Sequence, residues 1–371
     1  MKIMLQGYLA DANFGDMLYA HLFYRKCLSL GFDEVGFFQY KGFGIGPHCR
    51  KELGYTENKS LLSCFFSDAF VLISCGCLWN SSVNPHDAKE RYFRFVFPAR
   101  VYELLGKPVY VLGCGGGEVE TKWLRRRMVR MLSGAKTVLF RDTATRKCFE
   151  NYRVKNTPRT TADTVLAITP DMIPEFEEKQ ALTMAADGRK KLLLHIPDGV
   201  EANRDMAEKV LPALVRFLAE HSEYLVVVSH DNIRPIGKEE AEQIRRIYQA
   251  LDGASVAHYD YRYHDSMQMC ALIGETDCIV TAKLHVGVVG CALGKSVVPF
   301  PFHREKTDNF YAEIGESDRC RNMRILTDDV VFRQLSLYHD KPVVIPQGIR
   351  KKAAENLDAL AHILQNPKKE A

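Results

Sequence analysis

Hydrophobic and polar residues alternate along this chain in two rhythms. Short strand-like runs occur at Ile3 to Gly7, Glu34 to Tyr40, Ala69 to Ser74 and Pro108 to Leu112, the last two apolar almost throughout. Such runs read as strands of a parallel sheet covered on both faces. Between them lie stretches with helical spacing, Met17 to Leu30 (stopped by Gly31) and Val119 to Leu132, followed by a strand at Thr137 to Phe140. The pattern lapses around Thr169 to Lys190, where two prolines, the acids Glu175, Glu177 and Glu178, and the pair Asp187-Gly188 interrupt it. It then restarts with a strand at Lys191 to Ile196, a helix at Asp205 to His221, a strand at Leu225 to Ser229 and a helix at Lys238 to Leu251. Asp265 is placed to cap a short helix before a strand at Asp277 to Thr281. A helix at Leu284 to Leu293 and a strand at Ser296 to Phe300 complete a βαβ unit, and a last helix covers Arg350 to Gln365. The fold class expected is therefore α/β: two Rossmann-like domains, 1–175 and 176–371, the second carrying the terminal helix, with a cleft between their strand ends.

Composition narrows the class without changing this picture. With 371 residues, 46% hydrophobic and 26% charged, the chain has the make-up of a globular protein with room for two cores. Its longest apolar runs, such as Leu225 to Val228, fall far short of the roughly 20 residues that span a bilayer. The sequence enters a strand at Lys2 without a longer apolar region before it, so a cytoplasmic protein is expected. In a reducing compartment the eleven cysteines should be free thiols, and neither Cys75-Gly76-Cys77 nor Cys114 has zinc-site spacing, so no metal is expected. A net charge of +4 gives no reason to expect a nucleic-acid partner. The excess is concentrated in Lys122 to Arg130 (KWLRRRMVR). That run reads first as a solvated helix face, and second as a contact for anionic lipid or a phosphorylated substrate.

The chemistry-bearing clusters follow predicted strands. Asn13-Phe14-Gly15-Asp16 opens the first helix, where Asn13 or Asp16 can serve as a cap and free N–H groups favour an anion. Cys75-Gly76-Cys77 and Gly113-Cys114-Gly115-Gly116-Gly117 are turns that let a ligand approach the backbone. Glu118 and Glu120 stand where a dinucleotide fingerprint needs its last glycine, and no Walker-type lysine follows. Arg141-Asp142 offers either a bidentate anion grip or an internal ion pair. Asp163 reads as a buried acceptor. In Thr281-Ala282-Lys283-Leu284-His285 a cation, an acid–base side chain and a helix start coincide, which makes an anion-handling site. His303-Arg304-Glu305-Lys306 adds cations after the next strand.

In order and spacing, these clusters resemble the polysaccharide pyruvyl transferase family over most of the chain. The match runs through Asn13-x-Gly15-Asp16, the turns near Gly76 and Gly113, Arg141-Asp142, Asp163, Leu284-His285 with Gly287, and Lys306 before Phe310 to Gly315. The chain departs from it at Lys283, where arginine is usual, and at Cys75-Gly76-Cys77, where a glycine run is usual. The resemblance implies a GT-B-like fold and transfer of the enolpyruvyl unit of phosphoenolpyruvate onto a polysaccharide or glycan sugar as a ketal. Phosphoenolpyruvate is a donor substrate, and no cofactor is implied. Donor binding would fall to Arg141, Lys283, Leu284, Lys306, Gly115 and Gly116, acid–base work to His285 and Asp16, and acceptor binding to Asn13, Asp16 and Trp79. Tyr8, Tyr259, Tyr261 and Tyr263 are further aromatics able to stack on sugars or simply to pack. A lipid-linked acceptor would give a peripheral membrane contact a purpose. Two other functions fit the same residues. One is a GT-B glycosyltransferase using a nucleotide sugar, with Glu239 or Glu275 on the ribose; the other is a glycan- or phosphate-binding protein without turnover.

Overall fold

A computed structural model describes residues 1–9, 13–38, 45–56, 66–73, 76–80, 85–230, 236–302 and 304–365. Contacts divide the chain into two units: Met1–Ala12, Asp16–Ala167 and Gln347–Ala371 form the first, Asn13–Gly15 and Ile168–Pro346 the second.

The first unit runs β1 (Lys2–Gln6), α1 (Phe14–Leu30), β2 (Glu34–Phe37), α2 (Pro47–Leu53), β3 (Ala69–Ile73), β4 (Leu78–Asn80) and α3 (Pro85–Arg91). A π-helical turn (Tyr92–Val96) leads into α4 (Phe97–Leu104), then β5 (Val109–Cys114), β6 (Gly116–Val119), α5 (Lys122–Gly134), β7 (Thr137–Phe140), α6 (Thr143–Asn151) and β8 (Arg159–Thr160). Its main sheet is parallel, in the order β2-β1-β3-β5-β7-β8. The continuous apolar runs are the buried strands: Ala69–Ile73 is buried at every position, and so is Val109–Cys114. Phe70, Leu72, Val109 and Val111 pack with Tyr102, Leu124, Met128 and Phe149 from the helices.

The second unit runs α7 (Lys179–Ala186), β9 (Lys190–His195), α8 (Val200–Asp205), a π-helical turn (Met206–Val210), α9 (Leu211–Glu220), β10 (Tyr224–His230), α10 (Lys238–Gly253) and β11 (His258–Arg262). It continues with α11 (Ser266–Glu275), β12 (Cys278–Thr281), α12 (Leu284–Ala292), β13 (Ser296–Pro299), α13 (Arg304–Glu313) and α14 (Asp328–Tyr338); α15 (Gln347–Gln365) follows and belongs to the first unit. The sheet order is β11-β10-β9-β12-β13, all parallel. As predicted, Asp265 caps α11, its carboxylate accepting from the N–H groups of Met267 and Gln268 at 2.8 Å each. No helix among the described residues is long and apolar enough to cross a membrane.

Three differences from the sequence reading have local causes. The helix predicted over Asp205 to His221 is broken by a π turn just before Pro212, and the other π turn just precedes Pro98. Proline removes one helical donor and crowds the carbonyl four residues back, so the helix widens there. At Pro98 the affected carbonyl, that of Arg94, is instead taken by the Gln6 side-chain amide at 2.8 Å. Second, Val119 ends a short strand rather than starting a helix, because Gly116–Val119 pairs with Leu78–Asn80.

Third, the terminal helix groups with the first unit rather than the second. Asn356, fully buried, accepts from the Thr161 hydroxyl at 2.8 Å and donates to the Ala162 carbonyl at 2.9 Å and to Thr164 Oγ1 at 3.0 Å. A buried amide needs such partners, and the segment after β8 supplies all three. Asn356→Ala should destabilise the first unit by about 2–4 kcal/mol, since it strands several buried polar groups. Urea unfolding would show this as a lower midpoint with an unchanged slope.

Candidate functional site

The second unit's sheet order reverses between β9 and β12: the chain moves outward from β9 through β10 to β11, then returns to β12 on the other side. In open α/β sheets the crevice outside the carboxyl ends of such a pair of strands is where ligands bind. Both strands end there in polar residues. Thr281 aligns with His195, and His195 with Ser229. All three are buried, and the ring Nδ1 of His195 lies 2.9 Å from Ser229 Oγ.

Beyond β12, Thr281 Oγ1 accepts from the Lys283 N–H at 3.0 Å, which fixes the turn into α12. Lys283 is the extended residue at that helix's N-cap. Its ammonium forms an ion pair with the Asp198 carboxylate, which comes from the loop after β9. Lys283 and Asp198 thus join the ends of the two switch-point strands. Leu284 opens α12, where it continues the turn made by Lys283, and His285 follows in the helix's first turn at 8% exposure. Helix α12 is buried from His285 onward, with Gly290 facing Ile279 and Val297 of the sheet. That close packing sets where His285 stands.

The Asn13–Gly15 segment belongs to this same unit. Asn13 Oδ1 accepts from the Gly15 N–H at 3.1 Å, a capping bond at the start of α1. A Cβ added to Gly15 would lie 2.0 Å from His285 Nδ1. Only glycine lets the backbone come this near the imidazole. Two motifs 270 positions apart in the sequence, at 15 and 285, are therefore in direct contact. Lys306 is exposed in the first turn of α13; His303 lies outside the described residues.

The first unit gathers the other predicted residues. Arg141 is 5% exposed, with its Nε 3.1 Å from Asp142 Oδ2 and its Nη1 3.5 Å from Asp163 Oδ2. The internal ion-pair reading of Arg141 is thus the one the structure displays, with two carboxylates around one guanidinium. Asp142 also caps α6, accepting from the Thr145 N–H at 2.6 Å. Asp163 Oδ1 accepts from the Tyr19 hydroxyl and the Val165 N–H, each at 3.1 Å. Asp16 is half-buried in the first turn of α1, where the helix dipole favours its charge.

Of the two turn glycines expected to bind the donor, Gly116 is engaged within the fold on both its N–H and its carbonyl. The Gly116 N–H donates to Thr145 Oγ1 at 2.8 Å, and its carbonyl accepts from the same hydroxyl at 3.1 Å. A Cβ there would come within 2.4 Å of the Leu78 carbonyl, so the glycine serves the β4–β6 pairing. The Gly115 carbonyl accepts from the Leu78 N–H at 3.2 Å. Trp79, on β4, lies 5.5 Å from the Arg91 guanidinium, and Arg91 and Arg94 both flank the Tyr8 ring. Burial pushes the Tyr8 hydroxyl pKa up, with the nearby arginines opposing that shift. Of the second-unit aromatics, Tyr261 is buried against Phe176, Tyr263 is buried, and Tyr259 donates to Glu178. Tyr261 and Tyr263 therefore pack rather than present a face for a sugar. Glu275, considered for a ribose, pairs with Lys179 at 2.9 Å.

Sequence reasoning did not single out Asp198, His195 or Ser229. The available signal was a histidine ending an apolar strand, followed by the turn Pro197-Asp198-Gly199. The described cysteines are free thiols. Burial holds those of Cys27, Cys278 and Cys291 up at about 12, so they stay protonated and unreactive at neutral pH. Among the described residues no group of histidine, cysteine and acidic side chains is arranged to hold a metal ion.

Two doubly wound parallel sheets in one chain, with a polar site at a switch point, define the class: the fold is GT-B-like. The UDP-GlcNAc 2-epimerase from Neisseria meningitidis, bound to UDP-GlcNAc, is similar in fold, with a TM-score of 0.63 at 11% identity over 99% of this chain and 100% of that one. UDP-GlcNAc 2-epimerase from Methanocaldococcus jannaschii gives 0.63 at 11% identity over 98% and 100%. A putative UDP-N-acetylglucosamine 2-epimerase from Listeria monocytogenes gives 0.61 at 10% identity over 99% and 98%. No curated protein matches the sequence at a significant level. The chain belongs to the polysaccharide pyruvyl transferase family, whose model matches residues 3–304.

Proposed function

We propose that this protein transfers the enolpyruvyl unit of phosphoenolpyruvate onto two hydroxyls of a glycan sugar, forming a pyruvate ketal and releasing phosphate. The observation that carries this reading is the cluster at the carboxyl ends of β9 and β12, where Lys283, Asp198, His285 and the close-approaching Gly15 stand together. Family membership supports the same reaction class.

The chemistry assigns each group a task. Phosphoenolpyruvate carries up to three negative charges, and a cation at a helix start offsets part of them. The reaction adds a proton to the enol methylene, which makes the central carbon electrophilic toward one sugar hydroxyl. The second hydroxyl then attacks that carbon and the C–O bond to phosphate breaks. Of the two hydroxyl protons, one balances the new methyl group and the other leaves with phosphate. His285 is the group proposed to deliver the proton or to stabilise the departing phosphate. Asp16, next along from Gly15, is the base proposed for the acceptor hydroxyl, with Asn13 orienting it. Lys283 exchanges its Asp198 partner for the incoming donor anion, and Lys306 adds charge at the edge. The protein is proposed to act without a cofactor.

The test is phosphate release and a mass gain on an acceptor glycan, with phosphoenolpyruvate as the sole donor. Thermal shifts with phosphoenolpyruvate and with UDP-sugars separate this reading from a nucleotide-sugar transferase. The solved neighbours named for UDP-sugars make that comparison necessary. Stabilisation by UDP-sugars alone would overturn the proposal. Lys283→Gln is expected to raise KM for phosphoenolpyruvate about tenfold or more with a smaller change in kcat, because it removes a charge-assisted contact to the ground-state donor.

A further inference from the structure

Helix α5 buries Leu124, Met128, Met131 and Leu132 and turns Lys122, Trp123, Arg126, Arg127 and Arg130 to solvent. None of its five cations, Arg125 included, makes an ion pair among the described residues, and its first turn holds no acid. Lys122 and Arg125, in the first turn, oppose the helix dipole, so their charge does not serve the helix. Beside it, the π turn before α4 contributes an aromatic surface. Tyr92 meets Trp123 at 5.8 Å and Phe97 at 6.3 Å, and Phe93 meets Phe97 at 5.8 Å. Trp123 is 38% exposed.

We propose that this α4–α5 face is a docking surface for a bilayer carrying anionic lipid headgroups. Unpaired cations complement lipid phosphates, and half-exposed tryptophan and tyrosine rings favour the headgroup level, where one end is apolar and the other wet. The geometry disfavours a sugar-stacking role. Tyr92 and Trp123 meet edge to face at 69°, and the Arg127 guanidinium covers both rings, at 5.0 and 6.0 Å, so neither presents an open flat platform.

The experiment is flotation of the full chain with vesicles of phosphatidylcholine alone and of phosphatidylcholine with phosphatidylglycerol. Binding is expected only to the anionic vesicles, and it should fall away as ionic strength rises from about 0.1 M to about 0.5 M. Combining Lys122→Gln, Arg126→Gln and Arg130→Gln should weaken binding about a hundredfold. Because these side chains are exposed and unpaired, the unfolding midpoint should hold. The chain has two tryptophans, so Trp79→Phe leaves Trp123 as sole reporter. Its emission should shift to the blue and lose accessibility to aqueous quenchers on anionic vesicles. Equal binding to neutral vesicles, unaltered binding by the triple variant, or a Trp123 spectrum indifferent to lipid would each overturn the proposal. So would binding to a soluble polyanion such as dextran sulfate with no vesicle binding. Should the triple variant lose its fold, the wild-type salt dependence and the Trp123 spectrum decide the matter by themselves.

Discussion

Gly15→Ala is expected to cut kcat/KM for phosphoenolpyruvate-dependent transfer by at least about a hundredfold, the scale on which a shift of about 1 Å in a reacting group is felt. The added methyl would overlap the His285 ring, 2.0 Å from its Nδ1, and imidazole is a rigid ring. Either the ring must leave its rotamer or the Asn13–Gly15 turn must back away, which strains its capping bond. The global cost should stay modest, because the overlap is confined to one side chain and one turn. A double-mutant cycle sharpens the test: in a His285→Ala background the alanine at position 15 has room, so its effect should nearly vanish. Additive losses would show that Gly15 acts through something other than His285. Activity within a factor of about three of the unmodified protein would show that the contact constrains nothing.

His285→Gln carries the second large effect, a loss of about 10²–10⁴ in kcat. Glutamine keeps a hydrogen-bonding end but cannot exchange a proton near neutral pH. Phosphate release in the presence of acceptor should fall together with ketal formation. Near-normal phosphate release would end its assignment as the proton-handling group. If donor affinity collapsed while kcat survived, His285 would be a binding residue alone.

Much of the architecture was readable from the chain because parallel strands buried on both faces write themselves as unbroken apolar runs. Thr137–Phe140 appears as expected, and α15 and β12 differ from the prediction only at their ends. Elements whose sequences are short or mixed escaped notice. β11 reads His-Tyr-Asp-Tyr-Arg and carries polar residues on a sheet edge; β4 and β6 exist only through their mutual pairing. Strand-end residues were legible as candidates, since helix starts and glycine turns follow strands in a fixed order. Their partners were not. Lys283 meets Asp198 across 85 positions because β9 lies beside β12 in the sheet.

The sequence by itself determined the class of fold, the ends of the strands at which chemistry gathers, and the family, because each is written in local order and spacing. Tertiary structure decided what those residues touch. It brought Gly15 against His285 and paired Lys283 with Asp198, it enclosed Arg141 between two carboxylates, and it committed the Gly116 N–H to Thr145. It also carried the last helix to the first unit through Asn356. The physical reason is the same throughout. Periodicity reports which face of an element is buried, whereas a side chain's partner depends on strand order and helix packing, which bring distant segments together at distances no local pattern records.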